Sequence, residues 1–410
     1  MLLQSFCAIA MQTVAYTLPP DKLAKALHLY QARILLHFAG PLWTILALWL
    51  LIYFRAGWKI QNFAARLSGK RWLQGCIAIP AWLLLLTGIG LPAELLGQRI
   101  YRSYGLSVQS WPNWFRDWGI SLVLTLVFGT LGILVLYWLI RKSPRRWWFW
   151  AWVLAVPFEI FAIYAIPVVI DPLFNHFQPL AQSDPALVDQ LERVVARGHM
   201  QIPPRRMFVM DASAKLTGAN AYVTGFGASK RVVVWDNTIK RVPQEEILMI
   251  YGHEQGHYVL HHIVKGLVFF GILMLVFFWI AYKLMNFLLV RYGTTWHIPS
   301  AHDWSSLGLV LLLMTALSFF SEPIGNSFSR WIEHQADIYG IEVTHGIVPD
   351  TQKTGVTMEQ RLGEMWLDYP YPNNFVVFWT YTHPPTADRL EFAAHYDPWQ
   401  PGQHPLFVTK

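Results

Sequence analysis

Cysteine is nearly absent from this chain: Cys7 and Cys76 are the only two in 410 residues. Both lie in or beside apolar stretches, so they form neither a disulfide framework nor a thiolate metal site. Charge is scarce too. Lys, Arg, Asp and Glu make up 14% of the residues, against 54% hydrophobic. That balance argues against a string of soluble domains and for a polytopic membrane protein with a soluble part. The net charge of +7 does not imply a nucleic-acid partner, because the basic residues cluster in short loops between apolar runs.

Apolar sequence is what the chain has in abundance. Runs near 34–54, 74–95, 119–140, 147–170 and 266–290 are each long enough to cross a hydrocarbon core of ~30 Å. A sixth, 305–322, is shorter and ends at Ser321-Glu322-Pro323; it counts as a span because such breaks are tolerated beside a protein cavity. Residues 1–16 are apolar but lack an initial charge and are too short to span, so they read as a signal-like stub or a truncated anchor. The loop after the first span holds Arg55, Lys59, Arg66, Lys70 and Arg71 and no acid, and that between the third and fourth holds Arg141, Lys142, Arg145 and Arg146. Basic loops face the cytoplasm, which places the soluble parts on the opposite side. The expected organisation is a pre-span segment to residue 33, four spans over 34–170, a soluble insert over 171–265, two spans over 266–322, and a second soluble part over 323–410.

Inside the insert, Arg206–Met210 and Arg231–Asp236 read as short strands flanking a Gly- and Ala-rich loop, Leu216–Ser229. A helix follows from Pro243, with Glu245 and Glu246 at its positive end. It carries His253-Glu254-Gln255-Gly256-His257. Two histidines four apart share a helix face and can grip one Zn²⁺, and Glu254 stands beside them as a general base toward water. Such a motif arises by chance on the order of once in 100 chains of this length. A third ligand is needed. A further histidine along the same helix is excluded, because Leu260 and Ile263 occupy the required positions. Glu333 is the best candidate: Asn326, Arg330, Glu333 and Asp337 fall on one helical face just beyond an apolar span, with Asp337 suited to accept from a ligand histidine. Glu322 and Glu342 lack that polar company. His261, one turn past the motif, reads as structural.

Two further places carry functional potential. Asn220, Ala221 and Tyr222 precede the strand at 231, where an exposed edge beside the metal helix can hold an extended peptide. His383-Pro384-Pro385 and Arg389 offer a histidine and a cation for an oxyanion. His37, Glu94 and Glu159 are ionisable residues within apolar runs, a position that usually faces a bundle interior or an aqueous cavity.

Together these segments resemble the type I CAAX prenyl protease family, integral-membrane gluzincin metallopeptidases. GHEQGHYVLHH is similar to the family's GHExGHxxxNH, SRWIEHQAD to SRxxExxAD, ANAYVTGFGASKRVVVWDNTI to NAYxxGxxxSKRIVLxDTLI, THPPTADRL to SHPxxxERL and IDPLFNHFQPL to IxPLFxKFxPL. The resemblance covers roughly 18–395. It implies a mainly α membrane barrel enclosing a water-filled chamber, with a small α/β catalytic domain inserted. It implies one Zn²⁺ per chain held by His253, His257 and Glu333, endoproteolysis of a peptide or protein substrate, Asn220 and Tyr222 near the substrate backbone, and His383 and Arg389 near the reaction centre. The departures are His261 for the family's Asn, Asp388 for its Glu, a first span of the seven that is missing or reduced to the stub, and an orientation in which the family's eukaryotic members turn the zinc domain toward the cytosol, whereas the loop charges here point the other way. If the source is bacterial, the inner membrane is the expected location and the CAAX label is a family name, not a substrate assignment. Rival readings are a site-two-type intramembrane protease and a non-catalytic membrane scaffold.

Overall fold

A computed structural model describes residues 15–225 and 230–408. Most of the signal-like stub therefore lies outside the described residues. Helix α1 spans Pro20–Tyr53, α2 Ala56–Leu67, α3 Arg71–Ser103 and α4 Trp111–Lys142. Helix α5, Trp147–Ala165, runs through a π turn at Ile166–Ile170 into the short α6, Asp171–Phe174. Helices α11 and α12, introduced below, complete a set of six, among the described residues, that are long enough and apolar enough to cross a membrane. Their outer faces present Val123, Phe128, Leu131, Phe161, Phe287 and Val290. An apolar belt of that extent belongs in hydrocarbon rather than water. The first helix begins at Pro20, well before the apolar run at 34, because proline at its start is compatible with helix geometry and Leu23, Ala26 and Leu29 pack there against the catalytic side.

The soluble unit follows. Strand β1 (Phe177–Pro179), helices α7 (Leu180–Ser183) and α8 (Pro185–Arg197), and strands β2 (Met207–Met210), β3 (Ala221–Thr224) and β4 (Arg231–Trp235) come first. Then come α9 (Asp236–Arg241), α10 (Gln244–Val259), α11 (His262–Trp296) and α12 (Leu307–Thr344). The chain closes with α13 (Thr351–Trp366), α14 (Asn374–Thr380) and α15 (Thr386–His395). The sheet order is β1-β2-β4-β3, with β2 and β4 parallel and both outer pairs antiparallel. Val232 and Val234 turn toward α8, α10 and α12, and Val233 toward the opposite face with Met210. The Gly- and Ala-rich stretch expected as a plain loop contains β3, an edge strand beside α10, and the expected strand at 231 is internal; residues 226–229 of that stretch lie outside the described residues.

Two corrections concern helix ends. The sixth span does not stop at Ser321-Glu322-Pro323. Helix α12 continues unbroken for 38 residues, since one proline removes a single backbone donor, and Ser327 Oγ bonds the Pro323 carbonyl at 2.7 Å. At ~1.5 Å per residue it is ~57 Å long, enough to leave the membrane and enter the catalytic unit. Conversely, the motif helix ends at Val259. His261 adopts φ 57°, in the left-handed region, and α11 restarts at His262. His261 is therefore off the ligand face and exposed, while His262 turns inward.

Between the spans lies a cavity of about 1040 Å³, walled by α1, α3, α11 and α12 and including Leu86, Phe270, Met314 and the His37–Glu322 pair at 3.0 Å. A second cavity of about 530 Å³ adjoins it, sharing His37 and Thr382 and reaching His383.

Candidate active site and metal centre

Helix α10 starts after Pro243, and Glu246 in its first turn is held by Arg361 at 2.7 Å. Its far end crosses α12 at very short range. A Cβ added at Gly252 would lie 2.8 Å from Val343 Cγ1, and one at Gly340 would lie 3.0 Å from the His253 nitrogen. The two glycines let the backbones approach until side chains from both helices converge. His253 Nε2 lies 3.1 Å from Glu333 Oε2 and 3.2 Å from His257 Nε2, and His257 Nε2 lies 3.6 Å from Glu333 Oε2. Tetrahedral zinc with bonds of ~2.0–2.1 Å has ligand atoms ~3.3 Å apart. Two imidazole nitrogens and a carboxylate at those separations fit such an ion, and they form the one His/Cys/Asp/Glu grouping of metal-binding spacing among the described residues.

The groups behind the donors support the same reading. His253 Nδ1 donates to Asp337 Oδ1 at 2.8 Å, which turns Nε2 toward the metal position. Burial alone would lower the His253 pKa, but its hydrogen bonds to Asp337 and Glu333 outweigh that and raise it to about 10. Two carboxylates pressed on one imidazole make an anionic setting that a divalent cation complements. Asp337 is clamped by Arg389, with Nε at 3.0 Å and Nη2 at 2.6 Å, and Arg389 Nη2 also lies 3.1 Å from Glu359 Oε1. Arg389 thus sits behind His253, spent on two buried carboxylates. Burial opposes its charge, yet Asp337 and Glu359 raise its pKa further.

His257 has its own support, which the sequence reading missed. Its Nδ1 lies 3.1 Å from His262 Nδ1, and His262 Nε2 lies 3.1 Å from Gln335 Oε1, which also accepts from Lys265 Nζ at 3.2 Å. With His257 Nε2 facing the metal, its Nδ1–H donates to His262, whose Nε2–H donates to Gln335. The doubled histidine after the motif was the available signal, but the chain turns at the first of the pair.

Glu254 lies beside the donors and accepts from the Val223 N–H of β3, with burial raising its pKa. Trp235 N–H bonds the Asn220 carbonyl at 3.0 Å. The alternation of an antiparallel ladder therefore points the Ala221 and Val223 backbone groups away from β4, along the sheet edge. Asn220 is exposed at the start of that edge, Ala221 packs toward α10, and Tyr222 turns to the opposite face, its hydroxyl 3.8 Å from Met210 Sδ. His383 Nε2 lies 3.3 Å from Glu333 Oε2 and lines the adjoining cavity. Asn326 and Arg330 reach neither histidine. Asn326 Nδ2 bonds the Trp379 carbonyl, and Arg330 Nη1 bonds those of Val377 at 3.0 Å and Tyr381 at 2.6 Å. They hold the segment that delivers His383.

Comparison with known proteins adds to this geometry. Residues 181–397, more than half the chain, match peptidase family M48. The chain belongs to that family. Residues 10–176 match the CAAX prenyl protease N-terminal region of five membrane helices. The chain is 33% identical to the uncharacterized metalloprotease YhfN of Bacillus subtilis over 91% of its own length and 86% of the relative's. It is 27% identical to CAAX prenyl protease 1 of Saccharomyces cerevisiae over 68% of this chain and 62% of that one. Its fold matches the crystal structure of S. mikatae Ste24p with a TM-score of 0.78 at 22% identity, over 94% of both chains. This M48 member is a multi-pass integral membrane metalloprotease of the CAAX prenyl protease type, acting on peptide or protein. The site-two-type alternative fails because α10 is buried in the soluble core ahead of the α11 span. A scaffold reading leaves the complete donor set and Glu254 without a purpose.

Proposed function

We propose that this M48 protein is a zinc-dependent endopeptidase whose substrate chain lies along β3 and is cut between Glu254 and His383. The observation that carries the reading is the convergence of His253, His257 and Glu333, with Glu254 beside them. When bound there, Zn²⁺ supplies Lewis-acid polarisation and makes water more acidic. Glu254 takes a proton from water as its oxygen bonds to the scissile carbonyl carbon, and returns that proton to the amine nitrogen as the C–N bond breaks. Its raised pKa suits a group that both accepts and gives a proton. His383 hydrogen-bonds the carbonyl oxygen as negative charge gathers on it. Arg389 acts one layer back, fixing Asp337 and through it the ring of His253. Asn220 and the outward backbone groups of β3 other than the Val223 N–H, which Glu254 takes, hold the substrate main chain; Tyr222 contributes by packing the sheet's far face.

The apolar cavity that meets the catalytic one at His37 and Thr382 gives room for a lipid-bearing segment beside the cut peptide. The names of the CAAX prenyl protease relatives are in keeping with that substrate class. Glu254→Gln tests the chemistry. Metal analysis should find one zinc per chain in parent and variant alike, while peptide cleavage falls by about 10²–10⁴-fold. A variant that retained full proteolysis would sink the proposal.

A further inference from the structure

One end of the helical bundle is strongly basic. The α1–α3 connection carries five cations and no carboxylate, and the α4–α5 connection four and none. Successive traverses bring both to the same end, where they meet the turn before α12. Arg71 lies 3.7 Å from Asp303, and the Arg141 guanidinium stands 5.0 Å over the Trp304 ring. Asp303 is the one acid in that turn. Lys59, Arg66, Lys70, Lys142, Arg145 and Arg146 are exposed, and none has an ion-pair partner among the described residues.

Helix α2 gives this charge a surface. The left-handed turn at Arg55, φ 58°, ends α1 and sets α2 on a new course. Gly57 and Ala64, seven residues apart, form a buried stripe, and Gln61 Oε1 accepts from the Ser305 N–H at 2.7 Å, which docks α2 on the turn before α12. Lys59 and Arg66, also seven apart, form the opposite stripe, about 160–200° around the helix. Trp58, Phe63 and Leu67 flank that stripe and are 42%, 58% and 61% exposed. A short helix with one docked face, an outward cationic stripe and exposed aromatic flanks is built to lie in the membrane interface, cations at headgroup level and rings below.

We propose that this end of the molecule, with α2 at its centre, binds anionic phospholipid headgroups. Each unpaired cation near an anionic surface favours it by about fivefold, and Lys59 and Arg66 have no internal acid to compete. The alternative, that these charges serve only to orient the chain during insertion, predicts no lipid selectivity in the folded protein.

The full-length protein, purified in neutral detergent, can be titrated with phosphatidylglycerol and phosphatidylcholine of identical acyl chains, and bound lipid counted by native mass spectrometry. The parent should retain phosphatidylglycerol on the order of tenfold better, and raised ionic strength should shrink the difference. The K59Q/R66Q variant should bring it to within about twofold, while R99Q, an exposed cation at the other end of α3, should leave it unchanged. Thermal midpoints in phosphatidylcholine establish that each variant is folded, and K142Q/R145Q repeats the test on a different connection of the same face. Equal retention of the two lipids by the parent, a preference that survives both double variants, or one that R99Q abolishes would overturn the proposal.

Discussion

The proposed metal donors are the nearest members of two hydrogen-bond chains, and each chain makes its own prediction. Behind His257, the ring of His262 would fix which nitrogen faces a bound ion. His262→Ala frees that ring, so zinc affinity should fall by about 10–100-fold, measured by competition with a chelating dye; unchanged affinity would remove His262 from the centre. Behind His253, the chain ends at Glu359, which is 3% exposed. Burial, opposed by Arg389, raises its carboxyl from 4.5 to about 7. A folded pKa above the unfolded one gives stability that is complete below 4.5 and lost as pH rises through about 7. Glu359→Gln cannot ionise and escapes that loss. The variant-minus-parent difference in unfolding free energy should therefore grow by on the order of 1–3 kcal/mol from pH 4.5 to 7. A difference that stays flat across that range would show that Glu359 does not titrate there. At this scale the sequence was most legible where the geometry is local. His253, Glu254 and His257 follow from helix spacing alone. Arg389 reads as a free cation next to a histidine, because nothing in its own neighbourhood announces Asp337, 52 residues earlier.

Helices and strands show why a correct pattern can carry several purposes. The stripe of Asn326, Arg330, Glu333 and Asp337 lies on α12, and its spacing singled out Glu333, which stands beside both motif histidines. The same spacing could not reveal that its first half faces α14. Arg330 bonds the carbonyls of Val377, Phe378 and Tyr381 in and just after α14, and its Nη2 donates to Ser327 Oγ at 3.0 Å. Arg330→Ala should loosen the segment carrying His383 without touching the donors: kcat falls by about 10–100-fold while zinc content and KM stay near the parent's. Loss of zinc in that variant would mean that Arg330 supports the metal helix instead. Strand β3 escaped the pattern for another reason. Four residues on a sheet edge, within a run rich in Gly and Ala, give too little alternation to recognise. The break at His261 was hidden because a left-handed histidine ends the helix where no Gly or Pro marks a stop.

Across the described residues, the number of spans was legible because apolar length is a property of each segment by itself. The chamber was not, since it depends on which faces of α1, α3, α11 and α12 look at one another. What joins chamber to catalysis is α12, which leaves the membrane and reaches the donors as one helix. Glu333 on α12 follows His253 on α10 by 80 positions of chain, a stretch that includes the whole α11 excursion across the bilayer and back. An ion held by both helices therefore closes a loop that runs through the membrane part. A ligand that binds the folded state alone stabilises it by about 2.7 kcal/mol at 100 times its Kd. At about 2–4 °C per kcal/mol for a unit of this size, zinc loading should raise the thermal midpoint by roughly 5–10 °C over the chelated protein. His257→Ala should abolish that shift, whereas Glu254→Gln, with its donors intact, should retain it. If chelation leaves the midpoint of the parent where it was, the two helices hold their crossing unaided, and the glycine contact at Gly252 and Gly340, rather than the ion, is what ties the catalytic unit to the bundle.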